Sequence, residues 1–109
     1  MNEQILRELD QVIRQRKEQH EEGSYTCYLF EKGLDKILKK CGEECTEMII
    51  AAKNDDPKEL AMEIGDLVYH VLVLMQEKDL PLEAVAEVLR ERSAKTGNRK
   101  AFHQVDKNS

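Results

Sequence analysis

Two acidic pairs stand out, Glu44-x-x-Glu47 and Glu63-x-x-Asp66. A spacing of three puts both members of a pair on one helix face, so each pair can aim its oxygens at one point. Four carboxylates with no well-placed nitrogen or thiolate suit Mg²⁺, with Mn²⁺ as the alternative, and leave coordination positions for water and phosphate oxygens. Either pair alone reads as a solvated helix face, because helices are full of acids at this spacing. Two pairs on successive helices, one of them set among apolar residues, are harder to explain that way. Cys41 and Cys45 suggest a softer metal, but they are not spaced as C-x-x-C and no histidine pair lies nearby. A di-iron carboxylate bundle wants Glu-x-x-His on two helices, and the residue three after Glu63 is Asp66.

The elements that must position these acids are helical. Residues 3 to 22 carry Ile5, Leu6, Leu9, Val12 and Ile13 at amphipathic spacing and should end near Gly23. A second helical stretch runs from Thr26 or Cys27 towards Lys53, kinked or broken around Gly33. "NDDPKE" marks a boundary: Asp56 suits an N-cap, Pro57 a first helical position, and Glu59 a capping box. A third helix then runs from Pro57 to about Lys78, and a fourth from Leu82 to about Ser93. Short connections imply antiparallel neighbours, and no segment alternates with the period of a strand. The expected fold is an all-α antiparallel bundle of about four helices.

On a wheel of about 100° per residue, Ile37, Cys41, Cys45, Met48 and Ala52 share one stripe, with Leu38 and Ile49 beside it. The cysteines should therefore face the core. Glu44 falls at the edge of that stripe, Glu47 about 60° further round, and Glu43 towards solvent. The third helix is apolar on more than one side, with Leu60, Ile64, Leu67, Val68, Val71, Leu72, Leu74 and Met75. It must be covered from several directions. Glu63 projects near Leu67 and Leu74, and Asp66 beside Val73, so both carboxylates sit at or near surfaces expected to be buried. An ionised carboxylate buried without a partner costs several kcal/mol, so a cation is expected there.

The 109 residues suit one domain whose core is not generous, which makes association between copies reasonable. With 40% hydrophobic and 36% charged residues, two prolines and five glycines, composition favours helices. A net charge of -5 gives no general attraction to nucleic acid or an anionic membrane, so an anionic ligand needs a local basic cluster or a metal. Three cysteines and a polar start argue against a secreted disulfide framework and for a cytoplasmic protein. The apolar run "LVYHVLVLM" is half a bilayer span, so no membrane helix is expected. Residues 1–95 read as the folded domain. Residues 96–109 read as a basic tail, loose or partner-dependent, with a short helix as the alternative.

Taken together, "SYT" (Ser24 to Thr26), "KGLDKILKKCGEECTEMIIAAKN" (Lys32 to Asn54) and "EIGDLVYHVLVL" (Glu63 to Leu74) resemble the phosphoribosyl-ATP pyrophosphatase family of histidine biosynthesis. The likeness covers roughly two thirds of the chain. The acidic pairs alone would indicate only the wider all-α nucleoside triphosphate pyrophosphohydrolase superfamily. The resemblance implies Mg²⁺-dependent cleavage of phosphoribosyl-ATP to phosphoribosyl-AMP and pyrophosphate on a homodimeric bundle, with Glu44, Glu47, Glu63 and Asp66 as metal ligands. Cys41 and Cys45 stand where the family more often has small aliphatic residues, and Gly65 where alanine is usual. In some organisms the family domain is fused to the cyclohydrolase of the following step, for which this chain has no room.

Phosphoanhydride hydrolysis needs neutralised charge, an in-line water and a stabilised leaving group. One of the four acids, or Glu43, would accept the water's proton. Lys40 and Lys53 could reach phosphate oxygens, with Lys36 a weaker candidate, although all three also suit ordinary surface pairing. Tyr25 could touch the nucleotide. His70 is either a packed, hydrogen-bonded histidine or a substrate contact. Two rivals remain: a housekeeping enzyme for dUTP or a damaged nucleotide with the same metal site, and a non-catalytic helical dimerisation module.

Overall fold

The computed structural model describes residues 3–96. Among them the chain forms five helices and no strand: α1 (Glu3–Glu18), α2 (Tyr25–Lys32), α3 (Leu34–Lys53), α4 (Pro57–Glu77) and α5 (Leu82–Thr96). The expected tail lies outside the described residues, apart from Thr96, which closes α5. The all-α expectation holds, but the helix count rises from about four to five because Gly33 divides the second stretch completely. Its φ of 91° and ψ of -171° lie outside any helix and suit glycine. Its N–H donates to Leu29 O to close α2, and its carbonyl accepts from Ile37 N to start α3.

α1 stops at Glu18, short of the expected end near Gly23. The cause is a buried thiol: Cys27 Sγ donates to Arg16 O at 3.3 Å and accepts from Glu21 N at 3.3 Å, while Arg16 pairs with Glu21 at 2.8 Å. These contacts turn the chain before Gly23, and Ser24 then caps α2 by accepting from Cys27 N at 3.1 Å. Asp56 caps α4 by accepting from Glu59 N at 3.2 Å, with Pro57 in the first turn. Such a cap is worth about 1 kcal/mol.

Ile13, Leu29, Ile37, Leu72, Val73 and Met75 form the buried core, drawn from α1 to α4. α3 and α4, joined by the short turn 54–56, make the main antiparallel pair, and α1 and α2 pack against them. α5 contributes no buried residue, although Leu82 and Val85 lean on the core. The expectation that α4 needs cover on several sides is met only in part. Ile64 and Val71 remain exposed, and with Leu67 and Val68 they leave an apolar face on the side away from α3.

Candidate active site

The buried residues of α3 are Ile37, Glu44 and Ala51. They are seven apart, the spacing at which a helix returns to nearly the same direction. The core-facing row therefore runs through Glu44 itself, rather than through Cys41, Cys45 and Ala52 with Glu44 at the edge. Both cysteines are half-buried flanks, whereas Ala52, Leu38 and Ile49 are exposed. Glu44 is 7% exposed, a carboxylate in a position where packing calls for an apolar side chain.

α4 brings Glu63 and Asp66 against it. One oxygen each from Glu44, Glu63 and Asp66 lies within 4.8 Å of the others. Glu63 is half-buried, but Asp66 is exposed rather than buried as expected, so the cluster opens to solvent on the Asp66 side. Glu44 Oε2 and Glu63 Oε2 are buried with no hydrogen-bond partner. Burial pushes the Glu63 carboxyl up to about 7, helped by proton sharing with Glu47 and by repulsion from Glu47, Glu44 and Asp66. Glu44 is raised by the same burial and by Glu47 and Asp66, with His70 opposing. Glu47 is exposed beside the cluster and completes the four acids.

Orphaned buried oxygens on Glu44 and Glu63, with both carboxyls raised and that of Glu63 up to about 7, describe a site short of positive charge. A divalent hard cation fits this donor set. Glu44, Glu63 and Asp66 would hold such an ion, since their oxygens already lie within reach of one shared point. A thiolate site fits poorly, since burial raises the Cys41 thiol, which donates to His70 O at 3.5 Å.

Lys40 and Tyr25 border the cluster. Lys40 Nζ lies 3.3 Å from Glu43 and 3.7 Å from Glu44. Burial opposes its charge, but the Glu43 hydrogen bond, Tyr25 and the two acids outweigh it and hold Lys40 above its usual range. Glu43 is exposed and turned to Lys40. Tyr25 Oη is 3.0 Å from His70 Nε2, and His70 Nδ1 is 2.8 Å from Asp66 O. A carbonyl only accepts, so Nδ1 carries a proton, and in that tautomer Nε2 accepts from the Tyr25 hydroxyl. Burial raises the Tyr25 phenol, with Lys40 opposing, so it stays a donor. His70 is buried, with both ring nitrogens engaged.

Lys36 and Lys53 are not part of this cluster. Lys36 lies 5.9 Å over the Tyr28 ring, and Lys53 is exposed at the end of α3, about 13 Å along the axis from Glu44. Sequence reasoning missed Tyr28 and the hydroxyl pair of Thr26 and Tyr69, which ties α2 to α4 beneath Tyr25. The only signal was the crowding of Tyr25, Thr26 and Tyr28 in one turn.

A family model described as phosphoribosyl-ATP pyrophosphohydrolase matches residues 6–93. A phosphoribosyl-ATP pyrophosphatase of Listeria innocua serovar 6a is 55% identical over 104 residues, covering 93% of this chain and 100% of that protein. One from Clostridium novyi is 52% identical over 99 residues, 91% of this chain and 90% of its own. The histidine biosynthesis bifunctional protein HisIE of Bacillus subtilis is 56% identical over 88 residues, 81% of this chain but 42% of that larger protein.

Proposed function

The chain belongs to the phosphoribosyl-ATP pyrophosphohydrolase family, and on that footing we propose how its acidic cluster serves the reaction. The protein hydrolyses phosphoribosyl-ATP to phosphoribosyl-AMP and pyrophosphate in histidine biosynthesis. Glu44, Glu63 and Asp66 hold Mg²⁺, with Mn²⁺ as a substitute. The observation that carries this is the pair of buried, unpartnered oxygens on Glu44 and Glu63 facing one point. When bound, the ion neutralises triphosphate charge and makes a bound water more acidic. Glu47, exposed at the mouth, completes the donor set or accepts the water's proton; Glu43, paired with Lys40, is less free to do so. Lys40 meets phosphate oxygens, and Tyr25 offers its exposed ring while His70 fixes its hydroxyl. His70 therefore acts through Tyr25.

Residues 1–95 constitute the catalytic domain in this reading, and the working unit is a homodimer. Its support is the apolar groove between α1, α4 and α5, about 930 Å³ and lined by Leu6, Val71, Leu82, Val85 and Leu89 among others. Val88 and Leu89 are 53% and 61% exposed in the single chain. A second copy is the occupant that would bury them. We assign the protein to the cytoplasm, where three free cysteines stay reduced. A pyrophosphate-release assay with Mg²⁺ tests the assignment. Phosphoribosyl-ATP should turn over and dUTP or other simple triphosphates should not; turnover of a simple nucleotide alone would overturn it in favour of a housekeeping enzyme.

A further inference from the structure

The acidic cluster engages a triphosphate, which every nucleoside triphosphate carries. Phosphoribosyl-ATP differs from ATP by a second ribose bearing its own phosphate, an anion that must lie away from the ion if the triphosphate occupies it. In a chain of net charge -5 that anion needs a local basic site. One borders the cluster. Tyr25 and Tyr28 stack with ring centroids 6.1 Å apart and planes 25° apart, and they are 44% and 39% exposed. Lys32 and Lys36 place their ammonium groups 5.8 Å and 5.9 Å from the Tyr28 ring centroid.

The geometry follows from the chain. Tyr28 and Lys32 are four apart on α2, hence on one face, and the glycine break at Gly33 swings Lys36 of α3 over the same ring. Cation–π contact restrains both lysines while leaving their N–H donors free. Tyr25 is anchored from below by His70 and lies within the field of Lys40 and Glu44, so the platform begins where the acidic cluster ends.

We infer that Tyr25 and Tyr28, flanked by Lys32 and Lys36, form the subsite for the substrate's aromatic base and its second, unhydrolysed phosphate. Aromatic faces accept a base by stacking, and two restrained ammonium groups meet a phosphate dianion. This rests on the reading of the cluster as a phosphoribosyl-ATP site. It explains discrimination against ATP, which lacks the second phosphate.

The test compares binding of phosphoribosyl-AMP, which keeps the second phosphate, with binding of AMP, which does not. For Lys32→Gln/Lys36→Gln the Kd of phosphoribosyl-AMP should rise about tenfold, and that of AMP less than about twofold. Tyr28→Leu should weaken both ligands, and Tyr28→Phe should restore them. Lys58→Gln/Lys78→Gln removes equal charge elsewhere and should change neither. An unchanged phosphoribosyl-AMP Kd in the Lys32/Lys36 variant, with a normal thermal midpoint and an active wild type, overturns the subsite alone; so does an equal shift in the Lys58/Lys78 control. A wild type unable to hydrolyse phosphoribosyl-ATP overturns the parent reading and the subsite with it.

Discussion

Two faces of α4 break the ordinary rule of burial in opposite ways. Towards α3 the helix presents Glu63, Asp66 and His70, and meets Glu44, a carboxylate in the core row. On its other side Leu67, Val68 and Val71 face a groove shared with α1 and α5 whose apolar surface none of the described residues covers. The first face holds charge where packing calls for apolar groups; the second shows apolar groups where solvent calls for polar ones. Each is a local deficit, the first of positive charge and the second of contact. In the reading proposed above, a small ion would meet the first and a second copy of the chain the second.

Breaking the acidic face should give the largest effect. Glu63→Gln should lower phosphoribosyl-ATP turnover about a thousandfold, since it removes a ligand and the charge that holds the ion. The same change relieves repulsion among Glu44, Glu47 and Asp66, so the thermal midpoint without metal should rise. A fall in both activity and midpoint would mean that Glu63 supports only the fold. On the apolar face, Leu89→Arg should leave each chain folded, because Leu89 is already exposed, but raise the dimer dissociation constant about a hundredfold by ultracentrifugation. An unchanged sedimentation profile would place the interface elsewhere.

Acidity should sharpen the contrast with a smaller effect. The Glu63 carboxyl is raised to about 7, so the folded metal-free state binds a proton more tightly than the unfolded chain. That contribution is complete below the ordinary carboxyl range near 4.5 and is lost as pH rises through about 7. Thermal midpoints without metal should therefore fall from about pH 5 to about pH 8, while the gain on adding Mg²⁺ grows over the same window. A metal-dependent gain that is flat across this range would remove Glu63 from the site.

Much of this was legible in the chain. Asp56 with Pro57 and the break at Gly33 are local chemistry and stand where their residues predict, and of the two acidic pairs Glu44, Glu63 and Asp66 come together. The rotation of α3 was not legible. Cys41, Cys45 and Glu44 are close neighbours on the wheel, and hydrophobicity turns the thiols inward, whereas packing against α4 turns Glu44 inward. Nor could periodicity foresee the early end of α1, which depends on Cys27 reaching back to Arg16 O. Tyr28 escaped notice because its partners, Lys32 and Lys36, come from different helices and meet only through the Gly33 break.

The central claim is that the α3–α4 carboxylates are a metal centre. Its most direct test is anomalous scattering from a crystal grown with Mn²⁺. A peak about 2.1 Å from oxygens of Glu44, Glu63 and Asp66, lost in a Glu63→Gln crystal, is the expected result. No peak there in a wild-type crystal that binds Mn²⁺ elsewhere, or a peak unmoved by the substitution, would contradict it.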